Sequence, residues 1–255
     1  MSHFRRLSVH AVGDEAEPLR ARLLELVPSG LEEVSNGDVV ELAAYVPVAQ
    51  VDVLLDAFPG AVVEPVPQGW EDAWRSFHHP VVVGGLWIGP PWEQAPDPAR
   101  AVVIDPGRSF GTGAHPTTRL CVELLARTAG RGSLLDVGCG SGVLAIAGAR
   151  LGFAPVVAVD VDPIAVETTA ANATANDADV DARLVDAESG ALPGADLAVA
   201  NVLLRPVATV LARLDAVEAI TSGYLSGERP AHDGWEHVEV QSLDGWAADR
   251  FRRLR

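Results

Sequence analysis

The chain contains no lysine. All 19 of its basic residues are arginine, against 35 Asp plus Glu, for a formal charge of −16. A Schiff-base lysine, a P-loop lysine and a kinase-type lysine are therefore excluded. So acidic a chain also disfavours a nucleic-acid backbone as its main ligand, because such binders carry basic patches, and no direct nucleic-acid partner is expected. It suits a basic, lysine-rich protein partner, although the same composition also serves solubility. Cysteine is scarce: Cys121 and Cys139 are the two present. No disulfide framework is expected, and a cytoplasmic location is the default. No uncharged run approaches the ~18 apolar residues of a membrane helix, so no membrane partner is expected. Met1 to Leu7 has basic residues with no apolar stretch behind them, which predicts no signal peptide. What remains is ordinary: 48% hydrophobic and 21% charged residues, enough to bury a core. At roughly 150 residues per domain, 255 residues point to one large or two unequal domains.

Residues 1–66 read as one unit. Arg5–Val12 alternates like a strand, and Asp14–Val27 carries Leu19, Leu23, Leu24 and Val27 at helical spacing, with Asp14 as N-cap. Leu31–Val34 and Val39–Val46 flank Asn36-Gly37, a hairpin signal. Val48–Phe58 reads as a second amphipathic helix, and Ala61–Val66 as a closing strand. The β-α-β-β-α-β order is that of a ferredoxin-like module. Residues 67–100, rich in Trp and Pro, read as a linker whose tryptophans pack between modules. From 101 to 255 strands and helices alternate: Val102–Asp105, Leu134–Val137, Val156–Asp160 and Leu197–Asn201 are short apolar runs of the buried parallel kind. Helices are expected at 116–128, 142–151, 163–176 and 205–214. The expected fold class is α/β: a doubly wound, mostly parallel sheet, with ligands at the carboxyl ends of its strands.

The strongest local signal is Leu134-Leu-Asp-Val-Gly-Cys-Gly-Ser-Gly-Val-Leu144. A buried strand carrying Asp136 runs into a loop of alternating glycines, where Gly138 and Gly140 let backbone approach a ligand with no Cβ in the way. A helix N-terminus follows, with unpaired N–H groups and the positive end of a dipole. Asp160 comes 22 residues after Gly138, at the end of the next strand, where a carboxylate accepts both hydroxyls of a ribose. Two cofactor classes use this arrangement. Gly140-Ser-Gly142-Val-Leu-Ala145 meets the looser dinucleotide pattern, so a nicotinamide-dependent oxidoreductase stays open. The preferred alternative is S-adenosyl-L-methionine, because Asp136 suits its cationic amino-acid end and would repel a pyrophosphate.

Upstream lies Asp105-Pro-Gly-Arg-Ser-Phe-Gly-Thr-Gly-Ala-His-Pro-Thr-Thr118. This stretch resembles the signature of the ribosomal protein L-eleven methyltransferases (PrmA), class I, Rossmann-like methyltransferases. The resemblance extends to Trp70-Glu-Asp-Ala-Trp74, Phe77-His-His-Pro80, Leu86-Trp-Ile88, the glycine motif, Asp160-Val-Asp-Pro163 and Val199-Ala-Asn-Val-Leu203. It implies that Thr117 lies at the cofactor, with Phe110 and Gly111 forming part of the wall over it. Gly138 lies under the methionine portion, Asp160 holds the ribose, and Asn201 sits where cofactor and acceptor amine meet. The family's N-terminal module recognises the ribosomal substrate; residues 1–66 resemble it in element order only. The tail beyond Ser222-Gly-Tyr-Leu225, with Trp235 and Trp246, departs from the family pattern.

The expectation is thus an S-adenosylmethionine-dependent protein methyltransferase acting on lysine or N-terminal amines of a basic large-subunit ribosomal protein, as a monomer. Phe110, Gly111, Thr117, Asp136, Gly138, Gly140, Asp160 and Asn201 are its expected cofactor residues. No catalytic base is named, and His115 is expected to orient its loop. His78 and His79 with Asp72 do not have metal-ligand spacing, and no metal is expected. Rival readings are a methyltransferase for another protein or a small molecule, the oxidoreductase above, and a non-catalytic ribosomal-protein-binding relative.

Overall fold

The computed structural model describes residues 4–12, 15–27, 31–37, 39–66, 79–105, 113–230 and 233–254. Contacts divide the chain into two units, Met1–Phe77 and His78–Arg255. That division falls inside the 67–100 stretch.

The first unit runs β1 (Phe4–Val12), α1 (Ala16–Leu26), β2 (Glu32–Asn36), β3 (Val39–Pro47), α2 (Val51–Ala57) and β4 (Val62–Pro65). Its sheet order is β2-β3-β1-β4, antiparallel throughout, which is the ferredoxin-like arrangement. Alternation along β1 and β3 sends Leu7, Val9, Leu42, Ala44 and Val46 to one face, where Leu23, Val27, Leu54 and Phe58 cover them. On the other face Arg6 is ringed by Glu41 at 2.9 Å, Glu64 at 3.4 Å and Glu32 at 3.6 Å. Two local expectations shift. The N-cap of α1 is Glu15, with no side-chain bond, and Asp14 lies outside the described residues. The second helix opens with a 3-10 turn, Val48–Gln50, before α2 begins.

The second unit begins with a small sheet, β5 (Val81–Val83), β6 (Leu86–Gly89) and β7 (Ala101–Val103), whose order is β5-β6-β7. Leu86, Ile88 and Val102 belong to the same buried cluster as the large sheet, so part of the stretch expected as linker contributes to this unit's core. The expected strand Val102–Asp105 is shorter than read and does not join the large sheet. It pairs with β6 in parallel, and past Val103 its backbone partners are mainly side-chain amides rather than a strand.

The large sheet is built from β8 (Leu134–Val137), β9 (Val156–Asp160), β10 (Val180–Leu184), β11 (Ala195–Asn201), β12 (Ala216–Leu225), β13 (Trp235–Leu243) and β14 (Trp246–Arg253). The order is β10-β9-β8-β11-β12-β14-β13, parallel except for β13 and β14. Helices α3 (Pro116–Arg127), α4 (Val143–Arg150), α5 (Pro163–Ala175) and α6 (Leu204–Arg213) complete it. Alternate strand residues serve opposite faces: Leu134, Val156 and Val199 pack with α3 and α4, while Leu135, Val159 and Ala200 pack with Val207, Val210 and Leu211 of α6. Pairing reverses between β8 and β11, so a crevice opens at the carboxyl ends of these strands. Among the described residues no helix is long and apolar enough to cross a membrane.

The antiparallel tail is tied down by one polar cluster. Asp249 on β14 is fully buried. Its Oδ2 accepts from Tyr224 Oη at 2.9 Å, and its Oδ1 lies 2.5 Å from His237 Nε2; Tyr224 Oη also meets Thr221 Oγ1 at 2.7 Å. A buried carboxylate is tolerated only with such partners. Tyr224→Phe should therefore destabilise the chain by about 1.5–3 kcal/mol, the cost of removing a partner from a buried charge. A urea titration placing the variant within about 0.5 kcal/mol of wild type, the range of a neutral surface change, would refute this account of the tail.

Candidate functional site

At the carboxyl ends of β8, β9 and β11 lies a cavity of about 300 Å³, with Gly138, Gly140, Asp160 and Asn201 in its wall. The wall's shape starts in the β8–α4 turn. Gly138, Gly140 and Gly142 stand at φ +74, +54 and +83, the left-handed region that costs other residues most. A Cβ on Gly138 would sit 2.4 Å from Val202 Cγ1, and one on Gly142 would sit 2.9 Å from Thr169 Cγ2. The loop is held from several sides. Gly138 N and Cys139 N both donate to Val159 O, at 2.8 and 3.1 Å. Gly140 N donates to Asp160 Oδ2 at 3.0 Å, and Gly140 O accepts from Thr169 Oγ1 at 3.1 Å. Asp160 Oδ1 accepts from Asp162 N at 3.0 Å, so this carboxylate both lines the cavity and anchors the turn.

Asp136 lies beneath the loop, outside the cavity wall and 1% exposed. Its Oδ2 accepts from Ala145 N, in the first turn of α4, at 3.0 Å. Its Oδ1 is buried and has no hydrogen-bond partner among the described residues. Burial, and secondarily the charge on Asp160, pushes this carboxyl up to about 7, against the pull of the Ala145 amide. A buried oxygen in that state marks a place where a donor or a cation is favoured.

The upstream motif enters through α3. His115 is the N-cap: its Nδ1 accepts from Thr117 N at 3.4 Å and meets Thr117 Oγ1 at 2.8 Å. Its ring packs edge-on against Trp246 at 4.9 Å, and burial lowers its pKa. The ring is thus used to start a helix, in keeping with an orienting role. Thr117 is turned toward this cap and is not in the cavity wall; Thr118 is. Asn201, at the end of β11, donates from Nδ2 to Thr118 Oγ1 at 3.4 Å. Phe110 and Gly111 lie outside the described residues, as do Asp72 and His78. Among the described residues no cluster of His, Cys, Asp and Glu is disposed to hold a metal.

One wall was not anticipated from the sequence. Val185, Asp186, Ala187 and Glu188 follow β10 and line the cavity. Asp186 braces this turn, accepting from Glu188 N at 2.9 Å and Ser189 Oγ at 2.6 Å. Arg213 of α6 donates to Ala187 O at 3.1 Å and Gly190 O at 2.5 Å. The available signal was an acidic residue just past a strand end, as at Asp160; it stayed hidden because β10 itself was not recognised.

A family model described as ribosomal protein L11 methyltransferase (PrmA) matches residues 35–253. The match takes in the tail that departs from the motif pattern. A ribosomal protein L11 methyltransferase of Dechloromonas aromatica (strain RCB) is 46% identical over 157 residues, covering 60% of this chain and 52% of that protein. One of Cupriavidus pinatubonensis (strain JMP 134 / LMG 1197) is 38% identical over 224 residues, covering 82% of this chain and 75% of that one. Among solved structures, a ribosomal protein L11 methylase from Lactobacillus delbrueckii subsp. bulgaricus aligns with TM-score 0.61 at 27% identity. The alignment covers 69% of this chain and 100% of the other. The chain spans about half the length of several curated relatives: 52%, 56% and 47% in three cases.

The state of Asp136 is testable without any ligand. With its pKa raised from 3.8 to about 7, the carboxyl holds its proton more tightly folded than unfolded. Its contribution to stability is then complete below about 3.8 and is lost as pH rises through about 7. Asparagine does not titrate, so the unfolding free energy of wild type minus that of Asp136→Asn should fall across this window. A difference that stays flat, or rises, would show that Asp136 is ionised in the folded chain.

Proposed function

The chain belongs to the ribosomal protein L11 methyltransferase (PrmA) family, and from that footing we propose that it methylates amines of a basic large-subunit ribosomal protein, lysine or N-terminal, using S-adenosyl-L-methionine. The observation that carries this reading is one crevice holding a close-approach glycine loop, the strand-end Asp160 and, just beneath, the unpartnered oxygen of Asp136.

The residues fit such a methyl donor. Gly138, which has no room for a Cβ, gives backbone access to the methionine portion. Asp160 retains acceptor capacity beyond its two backbone bonds, enough for a ribose diol. A cationic ammonium near Asp136 would return that carboxyl to its charged form, whereas a pyrophosphate there would hold it in its neutral form. This favours the methyl donor over a nicotinamide dinucleotide. When bound, the cofactor supplies an electrophilic methyl group on a sulfonium. The side chains' work is then orientation and desolvation. With Asn201 Nδ2 directed at Thr118, the carbonyl end of its carboxamide is the acceptor for an incoming amine N–H. A lysine amine ordinarily titrates near ~10.4 and must be neutral to react. Val202, Pro206 and Val210 give that part of the wall an apolar surface, which lowers an amine's pKa by desolvation. Holding two reactants in line contributes ~7–11 kcal/mol in favourable cases, so no dedicated base is required. Residues 1–66 are proposed as the substrate-recognition module and 101–255, together with the β5–β6 strands of the 67–100 stretch that share its core, as the catalytic domain. A ribosomal substrate places the reaction in the cytoplasm.

Two substitutions separate binding from transfer. Asp160→Ala removes the ribose contacts and the Gly140 anchor together. It should cost about 2–4 kcal/mol, or roughly 30- to 1000-fold in affinity for S-adenosylhomocysteine. Calorimetric titration with a change below about threefold would sink the cofactor assignment. Asn201→Ala should instead lower the single-turnover methyl-transfer rate by roughly 10²-fold, the scale of one aimed polar contact. Its cofactor affinity should weaken much less than in Asp160→Ala. A rate within about threefold of wild type removes Asn201 from the transfer step.

A further inference from the structure

Helix α5 turns a polar stripe inward. Thr169 and Asn172 of this helix and Asn176 at its C-cap are 0%, 4% and 2% exposed. Asparagine is a poor choice for a helix interior and, once buried, must find partners. Here each amide finds both backbone groups of one residue. Asn176 Oδ1 accepts from Val103 N at 2.8 Å and its Nδ2 donates to Val103 O at 2.6 Å. Asn172 Oδ1 accepts from Asp105 N at 3.1 Å and its Nδ2 donates to Asp105 O at 3.2 Å. Residues two apart on an extended chain present their N–H and C=O groups to the same side. Two side chains one helical turn apart thus take the place of a strand edge.

The two asparagines differ in their remaining bond. Asn176 Nδ2 turns back to Asn172 O, within α5, at 2.8 Å. Asn172 Nδ2 donates to Ser141 O, inside the glycine loop, at 2.9 Å. Asn172 therefore ties the loop under the cavity to the residue from which the 106–112 motif departs in sequence. We propose that Asn172 is a positioning residue for the cofactor, holding the glycine loop that lines the cavity in place by tying it to Asp105. The proposal rests on the S-adenosylmethionine reading of the same cavity.

The test is calorimetric titration of the full chain with S-adenosylhomocysteine, with thermal unfolding run in parallel. Asn172→Ala and Asn176→Ala each break one rung and should both lower Tm. Only Asn172→Ala loses the link to Ser141, so it should weaken binding about tenfold or more while Asn176→Ala stays within about threefold. Asn172→Asp keeps the shape and the bond from Asp105 N but loses both donations, and should weaken binding like Asn172→Ala; it decides the matter if the alanine variant does not fold. Binding by the Asn172 variants within about threefold of wild type overturns the proposal. Equal weakening by Asn176→Ala also overturns it, because the effect is then general loosening. A wild-type chain that does not bind S-adenosylhomocysteine overturns the cofactor reading, and this inference with it.

Discussion

The β8–α4 turn must pass through positive φ at Gly138, Gly140 and Gly142 while staying close enough to Val202 and Thr169 that no side chain fits at the first and last of these. Glycine permits that path but does not enforce it, since its unfolded ensemble is the broadest of all residues. The path is enforced from outside: by Val159 O on neighbouring β9, by Asp160 at the end of that strand, and by Thr169 and Asn172 on α5. The cavity is thus a by-product of strand order, because only β9 beside β8 places these acceptors and donors around the turn.

Two buried carboxylates show how the same protein treats structure and chemistry differently. Asp249 has a partner on each oxygen, Tyr224 on one and His237 on the other, and it knits the antiparallel tail to β12. Asp136 has an amide on one oxygen and, among the described residues, no partner on the other, and burial raises its pKa. Satisfaction is what a folded interior ordinarily demands. The carboxyl that falls short is the one buried just below the glycine loop.

Much of the α/β unit was legible because parallel strands are buried on both faces and read as unbroken apolar runs. Leu134–Val137 and Val156–Asp160 were found to the residue. Two of the misreadings share one cause: strands with an edge that meets something other than a strand. Ala101–Val103 pairs with β6 on one side and with asparagine side chains beyond it, so its apolar run suggested a place in the large sheet that it does not take. Val180–Leu184, an edge strand, only alternates Val180, Ala182 and Leu184 with the exposed Asp181 and Arg183, so it lacks the unbroken apolar run of its neighbours. At the site, spacing singled out Asp160 because a strand end is a landmark, whereas Asn201 and Thr117 came from the family resemblance. The structure puts the next residue, Thr118, in the cavity wall, since which hydroxyl faces the cavity depends on where a helix starts, and His115 sets that start.

By itself, then, the sequence determined the absence of lysine chemistry, the alternation that makes a doubly wound sheet, the glycine spacing and the acidic strand end beside it. These are local properties, expressed in periodicity and in the backbone freedom of single residues. Only the tertiary structure decided that Asp136 keeps an oxygen without a partner, that the turn after β10 closes the cavity, and that Asn172 joins Asp105 to Ser141. The last of these depends on groups 67 and 31 residues apart in the chain coming within about 3 Å. Hydrogen-bond satisfaction is settled by geometry across the sheet rather than by order along the chain.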